Sequence, residues 1–176
     1  MNSPVRSYRY VGPPALRTLV RPGAEGRGIR SAADFDDWAS ARPAAELAEP
    51  FTFVVDPAGL LRLAARRSEH VVCAGGEPVL AAGEMTFGAR SRAGRWAVVG
   101  VSNQSTGYCP DVGSWPAVAA ALDAAGIARP DGFTHEVVFR RCPACGQLSI
   151  VREEDFFCVF CDGELPQEWN VDANGR

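Results

Sequence analysis

Lysine is absent from this chain: all 18 of its basic residues are arginine. That removes a Walker-type phosphate lysine, a Schiff-base lysine and every lysine-directed modification, and several enzyme classes go with them. Long apolar runs are absent too. No stretch approaches the roughly 18 residues needed to span a bilayer, and Met1 to Tyr10 lacks the apolar segment of a secretory signal. The expectation is a soluble, cytoplasmic protein with no membrane partner. Hydrophobic residues fill 47% of the 176 positions, which excludes wholesale disorder and suits one compact domain with a small appendage.

Net charge is −3, but it is spread unevenly. Residues 1–30 hold six arginines (Arg6, Arg9, Arg17, Arg21, Arg27, Arg30) against Glu25 alone, a balance of +5 that leaves −8 for the remainder. Tyr8 and Tyr10 lie among the first of these arginines. Such a stretch is either a basic arm able to touch nucleic acid or an acidic protein surface, or a solvated lead-in to the fold. The lead-in is the simpler reading.

Of the six cysteines, four are spaced as two knuckles, Cys142-x-x-Cys145 and Cys158-x-x-Cys161. Thiolates are soft ligands, and four of them close a tetrahedral zinc shell at Zn–S distances of about 2.3 Å. The two-residue gap lets one tight turn aim both sulfurs at one ion, and Gly146 and Asp162-Gly163 stand where those turns end. A closed four-thiolate shell has no open position, so the one Zn²⁺ it implies is structural. The remaining cysteines, Cys73 and Cys109, read most simply as buried thiols.

A module of this size cannot bury enough apolar surface to offset its ordering entropy, and metal binding supplies the difference. Phe139, Leu148, Ile150, Phe156, Phe157 and Phe160 are available to dock the ribbon on the main sheet. From Arg140 to Glu168 three arginines face six acids, a balance that repels phosphates and argues against nucleic acid at the ribbon.

Along the chain, Tyr8–Val11 reads as a short strand, Ser31-Ala-Ala-Asp34 as a helix start, and 39–50 as a helical turn or linker. Phe51–Val55 and Leu60–Leu63 are strands about the Asp56-Pro-Ala-Gly59 turn. Val71–Cys73, Val79–Ala82, Met85–Phe87 and Trp96–Val101 look extended, with an exposed hairpin loop at Gly88–Gly94. Ser114 and Pro116 open the clearest helix, in which Val118 and Leu122 share a face and Gly126 follows the end. Phe133–Phe139 reads as a strand into the ribbon, whose hairpin would join Leu148–Val151 to Phe156–Phe157. The fold class is α+β, a mainly antiparallel sheet with one main helix and a C-terminal zinc ribbon. Its parts are a basic, partly irregular arm with a short helix (1–50), a core (51–139) and the ribbon (140–170).

The central segment carries His70, Gly75-Gly76, Ala81-Ala82-Gly83, then Ser105, Tyr108 and Pro110. In these residues, over about 51–127, it resembles a domain of bacterial effector and polymorphic-toxin proteins and of plant IQ-motif calmodulin-binding proteins. That family has Gly-His where this chain has Thr106-Gly107, so any role of the second histidine is absent. The resemblance implies a fold, a ligand-binding face and a bacterial toxin, effector or conflict setting, but no particular activity. The IQ motif is missing, so calmodulin binding is not implied.

Read from its residues, the segment gathers His70, Glu84, Asn103, Ser105, Tyr108 and Asp111. His70, Glu84 and Tyr108 are candidate catalytic groups, and Gly75, Gly76, Asn103 and Ser105 candidate ligand-binding ones. Each also has an ordinary structural role, which is the preferred reading. His70, Cys73 and Cys109 would suit a second metal with Glu84 or Asp111 as base, yet the deaminase signature is not present. The leading expectation is therefore a zinc-stabilised, non-catalytic binding or regulatory protein that engages a protein partner through its sheet face and basic N-terminal arm. The alternative is an enzyme or nucleotide-binding domain with a pocket at His70, Glu84, Ser105 and Tyr108. Nucleic-acid binding through the N-terminal arginines ranks below both.

Overall fold

A computed structural model describes residues 5–88 and 94–172, so the interior of the loop expected at Gly88–Gly94, with Arg90, Ser91 and Arg92, lies outside the described residues. The architecture is α+β. Five strands form one antiparallel sheet in the order β1-β3-β2-β4-β5: β1 Arg27–Ile29, β2 Phe51–Val55, β3 Leu61–Ala64, β4 Ala81–Gly88 and β5 Ala97–Val101.

The centre of the sheet is β2, whose five residues Phe-Thr-Phe-Val-Val are all buried. An apolar run with so little alternation belongs in a strand covered on both faces. Phe51, Phe53 and Val55 face Met85, Gly83 and Ala81 of β4, while Val54 faces Ala82 and Arg62 on the other side. The β2–β3 turn follows from its residues. Asp56 Oδ1 accepts from the N–H groups of Ala58 (2.9 Å) and Leu60 (3.0 Å), and Gly59 takes the positive φ of +83°.

Two helices cover the first face. One spans Ala32–Ser40, where Ser31 caps the end by accepting from the Asp34 N–H at 3.1 Å, and its Phe35 and Trp38 enter the core. The other is the main helix, Trp115–Ala124, which buries Val118 and Leu122 as their i, i+4 spacing requires, and Gly126 follows it at φ +68°. Its start differs from expectation. A 3₁₀ turn over Val112–Ser114 leads in, and the Ser114 hydroxyl donates to the Asp111 carbonyl (2.7 Å) rather than capping the first turn.

The second face is covered by the N-terminal segment. Tyr8 pairs with Val79 through two backbone bonds of 2.7 and 2.9 Å, a single bridge in place of the strand expected at Tyr8–Val11. Tyr8, Tyr10, Val71 and Tyr108 then pack on Val54 and Ala82. Edge strand β1 went unread in the sequence because Arg-Gly-Ile offers one apolar residue, Ile29, to the core.

Two other expectations change. Val71–Cys73 is not extended but the body of a short helix, His70–Cys73, closed by two positive-φ glycines, Gly75 and Gly76. The segments expected at Val79–Ala82 and Met85–Phe87 are joined through Gly83 in one continuous strand, β4. Its glycine admits the Ser102 carbonyl, which would lie 1.9 Å from a Cβ there.

Candidate metal centre

The chain leaves the core through His135 and Val137 and enters a two-stranded ribbon, β6 Val138–Arg141 with β7 Leu148–Val151. The expected strand at Phe133–Phe139 therefore starts late and pairs with β7, not with the main sheet. Phe156–Phe157 is not the partner of Leu148–Val151 either; Phe157 bridges Glu164.

Two equivalent turns carry the thiols. In the first, the Cys142 N–H donates to Gln147 O (2.9 Å) and the Gly146 N–H to Cys142 O (2.8 Å). In the second, the Cys158 N–H donates to Gly163 O (2.8 Å) and the Asp162 N–H to Cys158 O (2.9 Å). Gly146 and Asp162 occupy matching positive-φ positions, +76° and +58°. Repetition of one turn is what aims both pairs of sulfurs at a common point.

All four Sγ atoms lie within 4.8 Å of one another. Cys142 and Cys161 are 3.6 Å apart, and Cys145 and Cys158 3.7 Å. A regular tetrahedron with metal–sulfur bonds of about 2.3 Å has edges of about 3.8 Å, so the donor set fits a four-thiolate metal ion. Backbone N–H groups, that of Cys145 foremost, draw the Cys142 thiol below its ordinary value, while Cys145 and Cys161 are pushed up, since thiolates crowded together need a cation among them. Four protein ligands fill a tetrahedral shell, which leaves no position for a substrate or an activated water.

The ribbon's arginines fasten it to the chain that follows, and that chain meets the core through Trp169. Arg140 is buried and donates to the carbonyls of Phe139 (2.8 Å), Pro166 (2.9 Å) and Gln167 (2.5 Å). Arg141 donates to Val171 O and Gly146 O, and Asn170 completes its backbone pairing as a strand would. Trp169 donates to the Cys109 carbonyl (2.8 Å) and meets the Tyr8 ring edge-on at 5.2 Å. Phe139, Leu148 and Ile150 pack with Val11, Cys109, Trp169 and Val171, in segments beside the main sheet and not on the sheet expected, and Phe156 packs within the ribbon.

Phe157 and Phe160 do not dock. Phe157, Val159 and Phe160 are 50%, 66% and 65% exposed. Glu153, Glu154, Asp155, Asp162 and Glu164 are exposed around them in the sequence. The signal was present in the chain, since Phe-Cys-Val-Phe-Cys alternates ligand and apolar residue, and ligands must point inward.

Most of the central polar residues are occupied by backbone partners. The His70 Nε2–H donates to Gly83 O at 2.9 Å, and burial holds the imidazole below its ordinary value. The Gly75 and Gly76 N–H groups donate to Val72 O and Val71 O, which occupies them within the turn. Asn103 is buried and fully bonded, donating to Pro110 O (3.0 Å) and Val137 O (2.7 Å) and accepting from the Val137 N–H (2.7 Å). The Ser105 hydroxyl accepts from the Tyr108 N–H, and the Tyr108 hydroxyl donates to Glu77 O at 2.8 Å. Glu84, next to the Gly83 that His70 bonds and near enough for its charge to act on the imidazole, lines a shallow groove with Thr86, Gln104 and His135. Asp111 pairs with Arg6 at 3.5 Å.

Cys73 and Cys109 do not join His70 in a cluster. Burial pushes each thiol up to about 12, and their Sγ atoms donate to Arg62 O and Thr106 O. Among the described residues the four ribbon cysteines are the one group placed to hold a metal. At Gly107, where the resembled domain has histidine, a Cβ would lie 2.8 Å from the Tyr10 ring. Tyr10 has taken that space.

Neither family models, nor curated proteins, nor solved structures give a match to this chain. Among the described residues no helix is long and apolar enough to cross a membrane.

Proposed function

We propose that this chain is a non-catalytic, zinc-stabilised binding protein that engages a protein partner through the tip of its ribbon. One observation carries the reading: Phe157, Val159 and Phe160 stand exposed beside Cys158 and Cys161, two of the four cysteines whose sulfurs converge within 4.8 Å. Exposed apolar clusters with polar rims are the usual mark of protein docking. The ion is zinc, because a closed tetrahedral four-thiolate set suits it and needs no redox chemistry.

The charge around the tip supports a partner with a basic rim about an apolar pocket. It speaks against nucleic acid, more so because Arg140 and Arg141 are bonded to carbonyls. Two of the N-terminal arginines are engaged as well: Arg17 lies over the Tyr10 ring and Arg21 bonds backbone carbonyls. None of the six cysteines is in a disulfide, which suits the reducing cytoplasm. The resemblance of the central segment supports a partner in a bacterial toxin, effector or conflict system.

The test is site-specific photo-crosslinking in the producing cell, with a benzophenone amino acid at position 159. A discrete protein adduct is expected, lost in a Phe157→Ser, Phe160→Ser double variant that still holds one zinc per chain. Adducts to RNA, or an adduct indifferent to both phenylalanines, would sink the reading.

A further inference from the structure

A second site lies away from the ribbon. We propose that the cavity between the N-terminal segment and the start of the main helix binds a small carboxylic acid with an apolar body. Its volume is about 540 Å³, within the usual range for small-molecule sites. The space exists because the residues around it are small: Gly59 from the β2–β3 turn, Gly113 before the helix, and Ala117 and Ala120 on the helix face. Leu80 and Pro116 complete an apolar wall. A leucine at either alanine would occupy the room, so the void is written into the sequence and is not a packing accident.

One end of the cavity is polar and rich in donors. Arg6 and Tyr8 come from the N-terminal segment, and Gly113 and Ser114 from the first turn leading into the ten-residue helix. The Arg6 guanidinium is held in place over the Trp169 ring at 4.9 Å. Tyr8 is buried, and that burial, with the charge of Asp111, pushes its hydroxyl up to about 12. Its oxygen accepts from Arg6 and from the Asp111 backbone, and its O–H remains to donate. Ser114 spends its N–H (3.0 Å) and its hydroxyl (2.7 Å) on the Asp111 carbonyl, so the donors left for a ligand at this end are those of Arg6 and Tyr8.

Asp111 is the single acid in the wall, and it already faces Arg6 at 3.5 Å. Arg6 carries five N–H donors, enough to serve a second carboxylate, and an ion pair this open to solvent yields easily. Converging donors beside one paired acid favour an anionic acceptor head over a neutral or cationic one. The apolar wall then takes a medium alkyl chain or a ring.

Calorimetric and thermal-shift titrations of the zinc-loaded full chain with octanoate and 2-naphthoate test this, against 1-octanol and 2-naphthol as uncharged controls. The acids are expected to bind in the range of about 10–100 μM and to raise Tm with concentration. The alcohols should bind at least about ten-fold more weakly, as loss of a charge-assisted bond implies. Arg6→Gln and Tyr8→Phe should each weaken the acids several-fold and leave the alcohols unchanged. Ala120→Leu should abolish binding while Tm without ligand holds or rises; Ala117→Val serves if that variant misfolds, with zinc content as the control for folding. No binding of either acid at 1 mM, equal binding of acids and alcohols, or binding that survives a filled cavity would each overturn the proposal. None of these results bears on the ribbon tip, which is probed separately.

Discussion

The main sheet and the ribbon face the same entropic cost and meet it in opposite ways. In the sheet, β2 is buried on both faces, and Phe35, Trp38, Val118 and Leu122 close over one of them. Large apolar side chains there are committed inward. In the ribbon four cysteines placed to hold a metal take that role, with Val151 and Leu165 as a small apolar floor. The difference is visible in the phenylalanines. Phe51 and Phe53 are buried in the core, whereas Phe157 and Phe160 face solvent. A metal releases a module's aromatic residues from holding it together, and makes them available for something outside it.

Removing the metal should break the comparison most sharply. Chelation, or Cys142→Ser, withdraws on the order of 10 kcal/mol of coordination free energy from the ribbon. The ribbon should unfold and zinc should be lost, while the sheet keeps its cooperative melt; amide spectra resolve the two regions. Simultaneous collapse of both would show that the Arg140 and Trp169 ties make one unit of them.

Next in size is the converse change. Phe53→Ala, at the centre of β2, should destabilise the sheet by about 3–5 kcal/mol in urea titrations. Zinc stoichiometry should stay at one per chain under native conditions. A proportionate loss of zinc would mean that the ribbon depends on the core for its shape.

The smallest effect separates the regions by pH. Burial holds the His70 imidazole below its ordinary 6.5. The unfolded chain therefore takes up the proton first, and stability that is intact above about pH 6.5 falls as pH drops through that value, by about 1.4 kcal/mol per unit of separation. In a Cys142→Ser background, where metal release no longer contributes, His70→Gln should flatten this fall between pH 7 and 5.5. An unchanged slope would assign the acid sensitivity to another group.

Much of this was legible in the chain. The Ser31 cap, the Asp56–Gly59 turn, the Val118/Leu122 face and the four ligands depend on neighbours within a few residues, or on chemistry with one solution. Less legible were contacts between distant segments. The Val71–Cys73 helix turns on Gly75 and Gly76 adopting positive φ, and β1 on a lone Ile29 meeting Leu61. Gly83 fell between two expected strands because nothing local announces Ser102. Of the polar residues His70, Glu84, Ser105 and Tyr108, three are bonded to backbone, partners that no local pattern announces.

The sequence by itself determined the metal centre, because two Cys-x-x-Cys knuckles carry their own turns and the tetrahedral shell admits one arrangement. It also determined the fold class, through an apolar strand run and one strongly patterned helix. Tertiary structure alone decided which phenylalanines face solvent, that Tyr10 fills the space beside Gly107, and that Arg6 and Tyr8 come to line a cavity with the main helix. Those outcomes depend on which distant surfaces meet, and burial is a property of the meeting, not of the residue.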